Sequence, residues 1–182
     1  TLLEIQRCGY KNIHTFQNHT HETTMDLTLA KTIEGLSEYV KNVEPDLILV
    51  HGDRVETLAG AIVGSLNNIL VGHIEGGEIS GTVDELIRHS VSKLSHIHFV
   101  SNAEAAKRLR QMGEIKESIF TIGSPDIDVM FSEHLPSLEL AKEYYQLFFD
   151  NYAIVMFHPV TTEIKEMDQY ASDFVNSLLA DT

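Results

Sequence analysis

Apolar positions in this chain change period repeatedly. In MDLTLAKTIEGLSEYVKNV (25–43), Leu27, Ile33, Leu36, Tyr39 and Val40 recur at roughly helical spacing, and Pro45 ends the predicted helix. DLILV (46–50) is a continuous apolar run, the pattern of a parallel strand covered on both faces. VETLAGAIVGSLNN (55–68) reads as a helix rich in small residues, suited to close packing on a sheet. ILVGHI (69–74) reads as the next strand. TVDELIRHSVSKLS (82–95) reads as a helix whose Thr82 and Glu85 have capping-box spacing. HIHFVS (96–101) is a strand, and Ser101 with Glu104 repeats the capping box before a helix over 102–112. SIFTIG (118–123) is a strand leading into Ser124 and Pro125, and KNIHTF (11–16) is a short strand candidate.

Past SEHLPS (132–137), a connection, the pattern gives a helix over 138–149. A buried strand, YAIVMFHP (152–159), then ends in His158, and a last helix starts near Thr162. Strands alternating with helices of this length predict an α/β fold, a doubly wound, Rossmann-like parallel sheet. Right-handed crossovers then fix most of its topology.

Composition narrows the function classes. The 182 residues are 43% hydrophobic and 22% charged, an ordinary soluble composition. Twenty-seven acidic residues against 13 Lys and Arg give a net charge of -14, which opposes nucleic acid and anionic membrane as partners. Any anionic ligand must be held by a few local donors. The single cysteine, Cys8, excludes an internal disulfide and fits a reducing, cytoplasmic compartment. No apolar run reaches membrane-span length, and TLLEIQRCGY lacks the regions of a signal peptide. Both ends read as the interior of a longer polypeptide.

Ligands of open α/β sheets bind outside the carboxyl ends of the strands. This chain places His51, Gly52, Asp53 and Arg54 after one strand, and His73, Glu75, Gly76 and Gly77 after the next. A third strand end carries Gly123, Ser124 and Asp126, and a fourth His158. The spacing His-x-acid occurs twice, at 51/53 and 73/75. Residues two apart on a strand point the same way, so each histidine is expected on the side of its acid. On neighbouring strands Asp53 and Glu75 would converge, and crowded carboxylates keep one another protonated for acid catalysis. The plainer alternative is that both acids favour the following helix N-termini. Asp84 likewise either serves its helix dipole and pairs with Arg88, or faces the crevice. Arg54 either pairs with Asp53 or Glu56, or clamps a phosphate. Gly76 and Gly77 would let a ligand approach the backbone. Neither GxGxxG nor a Walker motif occurs, so no dinucleotide or ATP site is inferred. The histidine pairs at 19/21 and 96/98 fit no zinc spacing, so no metal is expected.

HGDR (51–54), HIEGGEISGTVDELIRH (73–89), GSPDID (123–128) and HPVTT (158–162) together resemble the hydrolysing UDP-N-acetylglucosamine 2-epimerases. Non-hydrolysing relatives typically show HGDT, HVEAG, an EExxR element and an HRRE-type segment, so the chain leans to the hydrolysing branch. The resemblance implies a GT-B architecture, two Rossmann-like lobes around a cleft, in proteins about twice this length. Residues 1–135 would be a partial N-terminal lobe, 136–149 a hinge helix and 150–182 the start of the C-terminal lobe, inactive on its own. It further implies Asp53, Glu75 and Asp84 as catalytic acids and His158 as the cleft histidine. Arg54, His51, His73, Gly76, Gly77, Arg88 and Ser124 would contact the UDP-sugar. No cofactor is implied, and a homodimer or homotetramer is. The alternatives are a non-hydrolysing UDP-sugar 2-epimerase, a GT-B glycosyltransferase, and an inactive fragment that binds sugar nucleotide.

Overall fold

The computed structural model describes residues 2–20, 24–158 and 165–180. The chain divides into two compact units, Thr1–Glu133 and His134–Thr182.

The first unit opens with helix α1 (Leu2–Arg7) and helix α2 (Met25–Val43). Glu44 ends α2 in the left-handed conformation, donating its N–H to the Val40 carbonyl just before Pro45. Four parallel strands follow: β1 (Leu47–His51), β2 (Leu70–Ile74), β3 (Ile97–Val100) and β4 (Ile119–Thr121). They lie in the order β1-β2-β3-β4. They are joined by helices α3 (Val55–Leu66), α4 (Val83–Lys93) and α5 (Ala103–Gln111). Register places Val50 beside His73, and His73 beside His98.

Each crossover steps to the next strand in the same direction. With one handedness, that places α3, α4 and α5 on one face of the sheet. On that face Val50, Ala61, Val71, Ile87 and Val91 form one buried cluster, and Val100, Ala105 and Leu109 a second. The small residues of α3 are what let it approach. A Cβ on Gly60 would stand 2.7 Å from Val50, and one on Gly64 2.4 Å from Val71. The opposite face carries Leu47, Leu49, Leu70 and Phe120, all exposed within the chain. The expectation that 46–50 is covered on both faces therefore fails on one side.

KNIHTF (11–16) does not form a strand. It finds no strand edge and packs on α2 instead, with His14 stacked on Tyr39 at 4.2 Å between ring centroids. The N-terminus of α5 also differs from expectation. Asn102, not Ser101, is its cap and accepts from the Ala105 N–H at 2.9 Å.

Short helix α6 (Pro125–Met130) completes the first unit. The second unit contains α7 (Leu138–Tyr144) and α8 (Met167–Ala180). Helix α7 stops well short of 149 because Gln146 turns left-handed, and Leu147 donates back to the Lys142 carbonyl at 2.8 Å. Residues 152–158 are irregular and exposed where a buried strand was expected, since a lone strand has no ladder to join. Residues 159–162 of the HPVTT motif lie outside the described residues.

Candidate functional site

The carboxyl edge of the sheet gathers most of the residues singled out above. Asp53 and Arg54 follow β1, and Arg54 caps α3. Asp84 stands in the first turn of α4, whose N-cap Thr82 accepts from the Asp84 N–H at 3.3 Å. Glu85 does not close the expected box on Thr82. Its carboxylate accepts from the N–H groups of Gly81 and Ser80, which hold its pKa below the usual glutamate value. Asp53, Arg54 and Asp84 line a cleft of about 560 Å3, together with His19, Thr28 and Glu56. His19 is held there by Thr28, with 3.4 Å between Nδ1 and Oγ1.

Partners differ from those that spacing suggested. Arg88 pairs with Asp53, not with Asp84 on its own helix. Both side chains of the pair are mostly buried. Among the described residues Arg54 forms no ion pair, so neither Asp53 nor Glu56 neutralises it. Glu75 pairs with His51 on the neighbouring strand, 3.0 Å from Nε2 to Oε2. It does so because Glu75 has already left β2: its φ is +67°, and its N–H donates to the Phe99 carbonyl at 2.9 Å. The period of two stops applying there, and the carboxylate swings away from the side of His73.

His73 belongs to the core and does not line the cleft. It is fully buried. Its Nε2 lies 2.9 Å from the Gly52 carbonyl and its Nδ1 3.0 Å from the Ser92 hydroxyl. A carbonyl only accepts, so Nε2 carries the proton and Nδ1 accepts from Ser92. Burial pushes the His73 pKa down to about 4, so the ring is neutral. It ties the backbone just before Asp53 to α4.

The two glycines also face inward. A Cβ on Gly76 would meet Ser92 at 2.8 Å and His73 at 2.9 Å. Gly77 has a φ of +80°, and a Cβ there would stand 2.5 Å from the Ala105 carbonyl oxygen. Both serve internal close packing and leave no opening for a ligand at those Cα positions. Arg108, not singled out by the sequence reading, donates to the Gly77 carbonyl. The Ser101 hydroxyl donates to Glu78, which explains why Ser101 does not cap α5.

A second cleft, of about 320 Å3, is lined by Glu75, Glu78, Ile79, Arg88, Ser101 and Ser124. Ser124 thus joins Glu75 and Arg88 as expected. On α4, Asp84 serves the larger cleft, Arg88 the smaller, and Ser92 the buried histidine, at successive spacings of four. His158 lies in the second unit, exposed on the irregular segment.

His98 is fully buried with Nε2 3.3 Å from Glu114, out of line for a hydrogen bond. His96 accepts at Nδ1 from the Val71 N–H at 3.1 Å. The two histidines therefore serve separate structural ends. Among the described residues no three His, Cys, Asp or Glu side chains are grouped to hold a metal ion. No helix among them is long and apolar enough to cross a membrane.

A parallel, Rossmann-like sheet with ionic side chains at its carboxyl edge is the architecture of nucleotide-binding α/β proteins. Comparison sharpens this. The family model for UDP-N-acetylglucosamine 2-epimerase matches residues 3–181, and the chain belongs to that family. It is 53% identical over 178 residues to a UDP-N-acetylglucosamine 2-epimerase of Neisseria meningitidis, covering 98% of this chain and 47% of that protein. It is 34% identical over 163 residues to the UDP-N,N'-diacetylbacillosamine 2-epimerase (hydrolyzing) of Legionella pneumophila, covering 89% of this chain and 43% of that protein. A crystal structure of UDP-GlcNAc 2-epimerase from Neisseria meningitidis bound to UDP-GlcNAc superposes with a TM-score of 0.64 at 25% identity. That match covers 71% of this chain and 37% of the other. The chain spans about half the length of the curated relatives it matches.

Proposed function

We propose that the polypeptide to which these residues belong is a hydrolysing UDP-N-acetylglucosamine 2-epimerase. It would convert UDP-N-acetylglucosamine, or a UDP-diacetamido sugar, to UDP and the free 2-epimer. The observation that carries the reading is the strand-end arrangement. Asp53 on Arg88 and Glu75 on His51 sit at adjacent strand ends, and Asp84 opens onto the same cleft as Asp53. Three carboxylates suit a reaction made of proton transfers. The relative named as hydrolysing and the HGDR and GGE forms of the motifs favour that branch.

In this reading a carboxylate removes the proton from sugar carbon 2, and the electron pair forms the ring double bond as UDP leaves. The product is a 2-acetamidoglucal. Water then adds across the double bond with inversion at carbon 2, giving the free sugar. Asp53, Glu75 and Asp84 share the acid and base steps. Arg54, unneutralised at the cleft rim, meets the diphosphate. His158 donates to a phosphate oxygen as UDP departs.

The test follows UDP-N-acetylglucosamine by proton NMR in deuterated water, with a polypeptide carrying both lobes. Free UDP and N-acetylmannosamine deuterated at carbon 2 are expected. Asp53→Asn is expected to slow turnover at least about a hundredfold. A UDP-linked 2-epimer as the only product places the protein in the non-hydrolysing branch. Transfer of the sugar to an acceptor overturns the epimerase reading.

A further inference from the structure

We infer that Ser92, in the last turn of α4, is a positioning residue for the reaction: through His73 it holds the turn from which Asp53 projects. This rests on the reading of Asp53 as an acid–base group. Serines within a helix commonly donate back to the carbonyl four residues earlier. Ser90 does so to Leu86 at 2.8 Å, and Ser95, just past the helix end, to Val91 at 2.7 Å. Ser92 lies between them and turns its hydroxyl outward instead, 3.0 Å from His73 Nδ1. Both residues are fully buried, so solvent does not compete for the hydroxyl proton. Gly76 closes over the pair, and a Cβ there would strike Ser92 and His73 together.

The other ring nitrogen acts on the turn. Gly52 has a φ of +81°, and a Cβ on it would meet nothing within 4 Å, so packing does not fix its conformation. Hydrogen bonds do. Thr57 donates to the His51 carbonyl at 2.9 Å, and the Gly52 N–H donates to the Ile74 carbonyl at 3.1 Å. Both of these hold the peptide before Gly52. The peptide after it, which enters Asp53, is held by His73 Nε2, 2.9 Å from the Gly52 oxygen. A peptide is planar, so fixing that oxygen fixes the direction in which the chain reaches Asp53. The Asp53 carboxylate is paired with Arg88, about one helical turn before Ser92. Helix α4 therefore grips Asp53 twice, by its side chain through Arg88 and by its backbone through Ser92 and His73. Without the Ser92 proton the ring is free to carry its own proton on Nδ1. Nε2 would then present a lone pair to the Gly52 carbonyl, and the peptide would turn away.

The test measures UDP release from UDP-N-acetylglucosamine, as kcat and KM, in the two-lobed protein, in Ser92→Ala, in Asp53→Asn and in the double variant. Ser92→Ala is expected to lower kcat about tenfold or more, with KM changed less than about twofold. On the Asp53→Asn background the same substitution is expected to cost less than about twofold, because the carboxylate it positions is gone. An equal fractional loss on both backgrounds, an unchanged kcat, or a loss confined to KM overturns the assignment. Nitrogen NMR of the His73 ring in the unsubstituted protein needs neither a variant nor turnover. A proton on Nε2 and none on Nδ1 is expected at neutral pH. The reverse tautomer, or a proton on both nitrogens, also overturns the assignment. Failure of the epimerase reading shows separately, as absence of UDP release from the unsubstituted protein.

Discussion

Glu75 adopts a backbone conformation that side-chain-bearing residues avoid. A glutamate at φ +67° costs about 1 kcal/mol or more relative to a relaxed backbone. What it gains is position, since only this turn aims the carboxylate at His51 across the neighbouring strand. Two substitutions separate backbone from side chain. Glu75→Ala keeps the strain and loses the carboxylate, whereas Glu75→Gly loses both. The glycine variant is expected to unfold about 1 kcal/mol later than the alanine variant in urea, while both lack turnover. Equal stabilities would show that the left-handed turn carries no strain. Strand-end spacing placed Asp53 and Glu75 at the strand mouths in advance, whereas Asp84 stayed open between its helix dipole and the crevice until the family resemblance assigned it a catalytic role. Spacing did not find their partners, because the period of two presumes that a strand continues. Glu75 breaks that presumption at the residue where the chemistry was sought. Glu78 was visible in the motif, yet its anchors Ser101 and Asn102 lie more than twenty positions away and leave no local trace.

At the scale of elements, helices and paired strands followed from hydrophobic period and from the small residues of α3. The segments 11–16 and 152–158 did not, because apolar runs specify a strand only where an edge waits to pair with them. His73 in β2 read as a candidate site residue and proved to be core, and His98 beside it in β3 is buried as well. Their burial has a pH consequence. Unfolded, His73 takes a proton near its ordinary 6.5; folded, only near 4. Between those values the unfolded chain holds more protons, so stability is fully present above about pH 6.5 and falls as the pH drops towards 4. For His73 alone the loss is about 3 kcal/mol. Burial pushes His98 the same way, against the opposing pull of Glu114. Urea midpoints taken between pH 7.5 and 4.5 are expected to drop steadily, and His73→Gln is expected to flatten the slope. A midpoint independent of pH over that range would remove both histidines from the argument.

Across the whole molecule, the order β1-β2-β3-β4 with one-sided crossovers leaves an apolar face of the sheet open within this chain. Leu49 is 55% exposed and Phe120 49%. The 182-residue chain alone is therefore expected to bind a hydrophobic dye strongly despite its net charge of -14. Leu49→Asn combined with Phe120→Thr is expected to remove most of that signal while changing stability by about 0.5 kcal/mol or less. An unchanged signal would move the exposed apolar surface to the second unit. Motif order and strand alternation made the parallel sheet legible in advance. The open face was not, because a buried and an uncovered strand read alike as an apolar run. One helix ties the two sides of the sheet's chemistry together. Because Asp84, Arg88 and Ser92 descend α4 in steps of four, gaining or losing one codon between them would turn everything beyond it by about 100°. The cleft carboxylate, its neighbour's guanidinium and the core hydroxyl would part company at once. This stretch of the gene can change its letters, but it cannot change its length.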